Sequence, residues 1–201
     1  MIKIFMRIAI SKLFVLLLFS FLLFTNSIWE TTGHQIVPES LYPLGVFLVG
    51  IGTLGRVWCS LYIAGRKRSE LVTEGPYSIC RNPLYFFSLV GALGIGFTTE
   101  TLSVPLIVLM TFSLYYPLVI KREEIQMARL HGAMFETYRG KVPRFIPKFS
   151  LFHEAESYVV HVELFRRHVV SAVWFVWLTG ILAFVESLHD MGWLPVYFKI
   201  Y

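Results

Sequence analysis

The chain has 201 residues, of which 56% are hydrophobic and only 15% are charged, and its mean hydropathy is +0.64. Soluble domains carry roughly 25% charged residues, so this composition excludes an ordinary water-soluble fold. The net charge of +5 would suggest a nucleic-acid partner in a soluble protein. In a membrane protein, an excess of Lys and Arg instead reports topology and anionic headgroups, so we expect no nucleic-acid partner.

Five stretches approach the roughly 20 apolar residues that a helix needs to cross the bilayer core. In chain order they are Ile8 to Ile28, Leu44 to Ala64, Leu84 to Thr99, Leu102 to Ile120 and His168 to Val185. The first has a cleaved signal peptide as its rival interpretation, but no small-x-small cleavage site follows its apolar run, which favours a retained helix. The third is short, and we expect it to form a short hairpin with the fourth. The predicted fold is an all-α membrane bundle of about five transmembrane helices.

The basic residues indicate the orientation of this bundle. Of the 18 Lys and Arg residues, sixteen lie before the first helix core, in Gly65 to Arg81, or in Lys121 to Arg167. These three regions must share one side of the membrane, and the positive-inside rule makes that side cytosolic. We therefore expect a cytosolic N-terminus, cytosolic loops that carry any active site, and a location in a prokaryotic inner membrane.

Metal chemistry is not indicated by the sequence. The two cysteines, Cys59 and Cys80, lie in or beside a predicted helix end and lack metal-ligand spacing. Neither a disulfide framework nor a zinc site is therefore expected.

The first cytosolic segment leads through a turn into the third helix. Gly75-Pro76 is a turn signal, and Pro83 suits the start of a helix because its missing N–H would be unpaired there anyway. The helix N-terminus favours an anionic group, and Arg81 strengthens that preference. The alternative is that Arg81 is only a positive-inside anchor and Asn82 only an N-cap.

The second cytosolic segment begins with two acidic residues, Glu123 and Glu124, directly after a membrane helix. Two carboxylates at the interface suit a cation or a hydroxyl-rich nucleoside. The alternative is a solvated turn in which the pair is neutralised by the neighbouring Lys121 and Arg122.

Taken together, the two segments resemble the isoprenylcysteine carboxyl methyltransferase and phospholipid methyltransferase superfamily of membrane enzymes. The matching positions are Leu71-Val72, Gly75-Pro76-Tyr77, Arg81-Asn82-Pro83-Leu84-Tyr85, Glu123-Glu124, Gly132, Tyr138 and Val142-Pro143-Arg144. The resemblance covers roughly Leu44 to Pro147. Asn82 stands where the carboxyl methyltransferases have His, which argues against simple transfer of their prenylcysteine substrate.

The resemblance implies a cytosol-facing pocket for S-adenosylmethionine and a lipophilic acceptor that enters sideways between helices. The cofactor-binding residues that it implies are Leu71, Val72, Tyr77, Asn82, Pro83, Leu84, Tyr85 and Glu123. Catalytic roles fall to Arg81 and to Glu124, the latter as the base for an amine acceptor. The candidate acceptor-binding residues are Tyr138, Arg144 and Arg56, the last because charges inside a membrane usually face the bundle interior.

Three functional classes stay open. The first is a methyltransferase acting on a lipid or lipid-like acceptor, with an isoprenylcysteine carboxylate left open as the acceptor. The second is an NADPH-dependent reductase of the sterol-reductase type, and the third is a non-catalytic membrane scaffold. The compact size and the position of Glu123-Glu124 after the hairpin favour the first. We expect one domain, with residues 44–147 as the methyltransferase-like core and 151–201 as an interfacial segment, amphipathic over Leu151 to Arg167, plus the last helix. The oligomeric state stays open.

Overall fold

The computed structural model describes residues 23–29, 36–66, 70–157 and 159–200, and these residues are mostly helical. The helices are α1 (Ile36–Ile63), α2 (Pro76–Ile79), α3 (Pro83–Phe97), α4 (Ser103–His131), α5 (Ala133–Lys141) and α6 (Val162–Asp190). A 3₁₀ turn covers Phe149–Leu151. Two short strands, β1 (Thr25–Ser27) and β2 (Phe198–Ile200), pair in parallel.

Three of these helices are long and apolar enough to cross a bilayer: Glu39–Ile63 within α1, the whole of α4, and the whole of α6. They correspond to the second, fourth and fifth predicted spans, of which the second and fourth each extend one residue beyond the helix, at Ala64 and Leu102. The third predicted span is α3, whose 15 residues rise only about 22 Å, short of the roughly 30 Å core. A mostly helical membrane protein is therefore confirmed, while the count of five spans remains a prediction.

The first predicted span is corrected at its end. Residues 8–22 lie outside the described residues, but Thr25–Ser27, which we placed in the helix, form β1. The strand pairs with Phe198–Ile200, and the Ser27 hydroxyl donates to the Glu100 carbonyl in the turn between α3 and α4 over 3.0 Å. The bundle is thus not purely α-helical, because a two-stranded sheet lies at the end of the bundle where α3 ends. Long-range main-chain pairing of this kind leaves no local signal in a three-residue strand.

The predicted amphipathic helix over Leu151 to Arg167 is also corrected. In the described residues between Phe152 and His161 the chain is not helical, and Val162 to Arg167 are the first two turns of α6.

Glycines set the distance between α1 and α3, the pair of helices with the most extensive contact. A Cβ added at Gly52 would lie 2.5 Å from the Gly91 nitrogen, and one added at Gly45 would lie 2.7 Å from the Gly94 carbonyl oxygen. Only small residues let two membrane helices approach so closely. The consequence is that the short helix α3 is held against α1 by main-chain contact along its C-terminal half.

The segment after α5 runs back across the loop that precedes α3. The Arg81 amide donates to the Pro143 carbonyl, the Lys148 amide to the Ile79 carbonyl, and the Gly75 amide to the His153 carbonyl, each over 2.9 Å. The Tyr62 hydroxyl donates to Glu154 over 2.5 Å. These bonds join residues 143–154 to the loop around α2 and to the end of α1.

Candidate active site

The loop before α3 takes its shape from a glycine and a buried turn of helix. Gly75 has φ of +57°, a conformation that residues with a Cβ rarely adopt, and an added Cβ would run into the ring of Tyr62. The chain then forms α2 with Pro76 at its start, and all four α2 residues are buried. Tyr77 is therefore held inside the protein, where burial raises the pKa of its hydroxyl well above the usual range and keeps it protonated.

The two carboxylates of α4 lie on a continuous helix. Because α4 runs unbroken from Ser103 to His131, Glu123 and Glu124 are part of a helix that leaves the membrane, and the solvated turn considered above is wrong. The Glu124 side chain is only 14% exposed. The Tyr85 hydroxyl of α3 donates a hydrogen bond to Glu123.

Glu124 is the centre of a charged network. Its Oε1 lies 3.4 Å from Arg81 Nη2, and its Oε2 lies 3.2 Å from Arg144 Nε. Asn82 Nδ2 lies 3.5 Å from the same carboxylate and 2.9 Å from the Arg144 carbonyl. Asn82 occupies the N-cap position of α3, but its side chain makes no capping bond. It joins the loop to the chain after α5 instead.

Arg81 is not a solvent-facing anchor. Its side chain is only 9% exposed, and its Nε and Nη1 are buried without a hydrogen-bond partner. The Tyr77 hydroxyl is likewise buried and unpartnered. Buried donors without partners carry a cost of about 1–3 kcal/mol each, which a bound acceptor group would remove.

These groups line one cavity of about 860 Å³, including its open mouth. Its lining residues are Ile63, Glu70, Leu71, Val72, Tyr77, Arg81, Asn82, Leu84, Tyr85, Glu123, Glu124, Gln126, Met127, Phe135 and Tyr138. The cavity therefore lies between the loop before α3, the start of α3 and the end of α4.

Ten of the thirteen predicted site residues line this cavity, and three do not: Pro83, Arg144 and Arg56. Pro83 is buried at the start of α3. Arg144 reaches the cavity wall only through Glu124. Tyr138 does line the cavity, but its hydroxyl donates to the Tyr77 carbonyl over 2.7 Å, and burial raises its pKa.

Arg56 lies apart, inside the helix bundle. Its guanidinium donates to Ser88 of α3 and, over 3.2 Å, to Ser171 of α6, and it lies 5.1 Å from the ring centroid of Phe175. The Arg56 side chain therefore faces the interior of the bundle, where two hydroxyls and an aromatic ring contact it.

Sequence reasoning missed five lining residues: Ile63, Glu70, Gln126, Met127 and Phe135. Two of them had a usable signal, because Gln126 and Met127 follow Glu123 by one helical turn and so share its face. Phe135 packs with Tyr138 and Val142, and this cluster depends on the turn at Gly132, which has φ of +51°.

Cys80 stabilises the loop as a neutral thiol. Its sulfur donates to the Phe145 carbonyl over 2.9 Å, and burial raises its pKa to about 11. Among the described residues, no group of three or more His, Cys, Asp or Glu side chains is placed to hold a metal ion.

The family model for phospholipid methyltransferases matches residues 42–134, which include α2, α3, α4 and most of α1. The chain belongs to the isoprenylcysteine carboxyl methyltransferase and phospholipid methyltransferase superfamily. The resemblance based on the two cytosolic segments is thereby confirmed. No solved structure matches the chain.

The chain is similar to three named proteins, of which two are metal-resistance proteins and one is a methyltransferase. The chain is 38% identical to the nickel-cobalt-cadmium resistance protein NccN of Alcaligenes xylosoxydans xylosoxydans, over 95% of this chain and 88% of that protein. It is 39% identical to the cobalt-zinc-cadmium resistance protein CzcN of Cupriavidus metallidurans, over 92% and 84%. It is 31% identical to a methanethiol S-methyltransferase of Crocosphaera subtropica, over 60% of this chain and 51% of that protein.

Proposed function

We propose that this chain is a membrane methyltransferase that moves a methyl group from S-adenosylmethionine to a lipophilic acceptor. The observation that carries the proposal is the convergence of buried, unpartnered donors on Arg81 and Tyr77 in a cavity that also contains Glu123. Family membership makes S-adenosylmethionine the expected methyl donor. We further propose that the cavity faces the cytosol of a prokaryotic inner membrane, because it is built from the two basic segments.

The residues present fit this donor. S-Adenosylmethionine carries a carboxylate, ribose hydroxyls and a sulfonium that supplies an activated methyl group. Arg81 offers two free donors for the carboxylate, a pairing that is stronger than a neutral hydrogen bond. Leu71 and Val72, together with Asn82 to Tyr85, would hold the methionine part and the ribose, and Glu123 would accept from a second polar edge.

The chain contributes positioning and a dry site. Holding two reactants in line about 3 to 3.5 Å apart replaces a bimolecular encounter and lowers the activation barrier by several kcal/mol. The apolar lining, which includes Ile63, Leu84 and Met127, excludes water from the reacting atoms. The acceptor would enter from the bilayer beside α4, whose outward face carries exposed apolar side chains such as Leu114 and Leu118.

Glu124 acts in this proposal as a positioning residue. Both of its oxygens are engaged, one by Arg81 and the other by Arg144. It therefore holds Arg81 in the cavity wall. Its role as the base for an amine acceptor remains a prediction, and this geometry gives it little support.

Binding of the purified protein to S-adenosylmethionine and to NADPH, measured by isothermal titration, tests the proposal against the reductase alternative. We expect heat from S-adenosylmethionine and none from NADPH. Binding of NADPH alone would favour the reductase over the methyltransferase, and binding of neither compound would favour the non-catalytic scaffold.

The acceptor class is tested separately. Labelled S-adenosylmethionine is supplied to membranes that contain the protein, and label is followed into organic-extractable and water-soluble products. We expect organic-extractable label. Label confined to water-soluble product would contradict the lipophilic acceptor while leaving methyl transfer intact.

The names of two relatives extend the proposal to a cellular role. We propose that this chain contributes to resistance against divalent transition metals through its methyltransferase site. Cells that lack the protein, complemented with the parent or with Arg81→Gln, are grown on graded cobalt and cadmium. We expect the parent alone to restore growth. Equal growth with the parent and with Arg81→Gln would show that resistance does not depend on the methyltransferase site.

A further inference from the structure

We propose that the atom that accepts the methyl group is a sulfur, and that the acceptor is a lipophilic thiol bound against an aromatic wall formed by Tyr85, Phe112, Tyr116 and Phe145. The inference rests on the proposed methyltransferase function and names the acceptor chemistry of that same site.

The aromatic wall begins inside the cavity and continues toward the bilayer. Tyr85 lines the cavity, and its ring centroid lies 5.2 Å from that of Tyr116 on α4. Tyr116 stacks on Phe112 at 4.0 Å with an interplanar angle of 12°, and Phe112 lies 5.6 Å from Phe145. All four rings are half-buried. Ring contacts therefore run without a break from Tyr85 in the cavity through Tyr116 and Phe112 of α4 to Phe145.

An amine acceptor is poorly served by this site. At pH 7 an amine with a pKa near 10.4 is almost entirely protonated, so it needs a base before it can attack. Each carboxylate that lines the cavity already has a partner: Glu70 has Arg66, Glu123 has Tyr85, and Glu124 has two arginines. A thiol needs no such base, because a few per cent of it is already thiolate at pH 7 and the thiolate is intrinsically very nucleophilic.

A carboxylate acceptor is also poorly served at the wall. Carboxylates bind best to paired N–H donors, whereas the four rings present π faces and two hydroxyls. The nearby cation is Arg56, which donates to Ser88, one turn of α3 beyond Tyr85, and to Ser171, while its Nε is buried without a hydrogen-bond partner. It therefore supplies positive potential and one unpartnered nitrogen, not the paired donors that a carboxylate prefers. Positive potential favours a thiolate, and sulfur makes favourable contacts with aromatic rings.

The transfer balances without a further reactant. The thiol proton leaves to water before the reaction, which generates the thiolate. A sulfur lone pair then forms the new bond to the methyl carbon, and the old carbon–sulfur bond breaks with its electron pair on the departing sulfur. The products are a methyl thioether and neutral S-adenosylhomocysteine.

Three acceptors that share one tail test the reacting atom: N-decanoyl cysteamine, N-decanoyl ethylenediamine and N-decanoyl-β-alanine, which end in a thiol, an amine and a carboxylate. About 3% of a thiol with pKa 8.5 is ionised at pH 7, against about 0.04% free base for an amine with pKa 10.4. We expect label from S-adenosylmethionine to enter the thiol at least about tenfold faster than the amine, and the thiol rate to rise about tenfold per pH unit below the thiol pKa.

Substitutions test the wall. Tyr116→Leu removes the ring that joins Tyr85 to Phe112, and an aromatic pair is worth about 0.5–1.5 kcal/mol, so we expect the KM for the thiol to rise about twofold to tenfold. Phe112→Leu is a second variant in case the first does not fold. Leu106→Ala is the control, because Leu106 lies on the same helix, ten residues before Tyr116, and is 51% exposed. Calorimetry without the donor gives an independent measurement: the methyl thioether of N-decanoyl cysteamine should bind Tyr116→Leu more weakly than the parent or the control, while the Kd for S-adenosylmethionine stays unchanged.

The outcomes separate the inference from the proposed function. If S-adenosylmethionine binds and label enters the amine or the carboxylate in preference to the thiol, the sulfur assignment is overturned and the methyltransferase stands. If the thiol is preferred but neither ring substitution changes its KM or the thioether Kd, the aromatic wall is overturned. If S-adenosylmethionine does not bind, the proposed function falls and the inference falls with it.

Discussion

The side-chain amide of Asn82 donates to the main-chain carbonyl of Arg144 over 2.9 Å, and so joins the first residue before α3 to a residue 62 positions later in the chain. The same amide lies 3.5 Å from Glu124, which pairs with both Arg81 and Arg144. One buried amide thus connects the loop, the end of α4 and the segment after α5. These are the parts that meet around the cavity.

Replacing Asn82 tests this connection. Asn82→Ala removes the buried amide that donates to the Arg144 carbonyl, and the loss of such a hydrogen bond costs about 0.5–1.5 kcal/mol, so we expect lower thermal stability together with weaker binding of S-adenosylmethionine. Asn82→His keeps a ring N–H donor at this position, so it should retain more of both. Thermal unfolding in detergent and calorimetry measure the two effects. Equal losses in the two variants would mean that the donor is not what matters here.

Arg81→Gln tests the cofactor site. It keeps a polar side chain but removes the guanidinium with its two free donors, and a hydrogen bond to a charged group is worth about 1.5–3 kcal/mol. We expect the Kd for S-adenosylmethionine to rise about 10-fold to over 100-fold. Arg139→Gln is the matched control, because Arg139 is 56% exposed and pairs with the surface residue Glu136. Similar affinities in both variants would remove Arg81 from the cofactor site.

Gly52→Ala tests the close approach of α1 and α3. The added methyl group meets the Gly91 main chain, and overpacking of this kind costs about 1–3 kcal/mol. Gly50→Ala, two residues away in the same helix, meets nothing within 4 Å and should be neutral or stabilising, since Ala is the better helix former. We expect a lower thermal midpoint for Gly52→Ala only. A parent-like midpoint for that variant would show that the helices separate more easily than their packing indicates.

Cysteine labelling tests the orientation. Both native cysteines are fully buried, so the parent protein is the blank. Phe149→Cys, at a site 71% exposed in the basic segment, should react with a membrane-impermeant thiol reagent from the cytosolic side. Trp193→Cys, at a site 78% exposed beyond α6, should react from the opposite side. Reversed labelling would overturn the topology, and with it the cytosolic cavity.

The sequence by itself determined the membrane class and predicted most of the residues that line the cavity. Hydropathy identifies a span from composition alone, because a bilayer requires a long apolar stretch whatever its neighbours are. The short motif around Arg81 and the pair Glu123-Glu124 could likewise be recognised locally, as could the turn at Gly75. Ten of the thirteen residues chosen in this way line one cavity.

Only the tertiary structure decided which polar groups have a hydrogen-bond or ionic partner and which have none. Glu124 reads in sequence as an available base, yet Arg81 and Arg144 occupy its two oxygens, and Arg144 comes from a segment that folds back across the loop. Arg81 retains two unpartnered nitrogens because that fold buries it. The partners of Arg56 and the pairing of β1 with β2 are equally long-range. Local sequence fixes which groups are present, whereas contacts between residues 20 to 173 positions apart fix whether each group already has a partner, because that depends on how the helices pack.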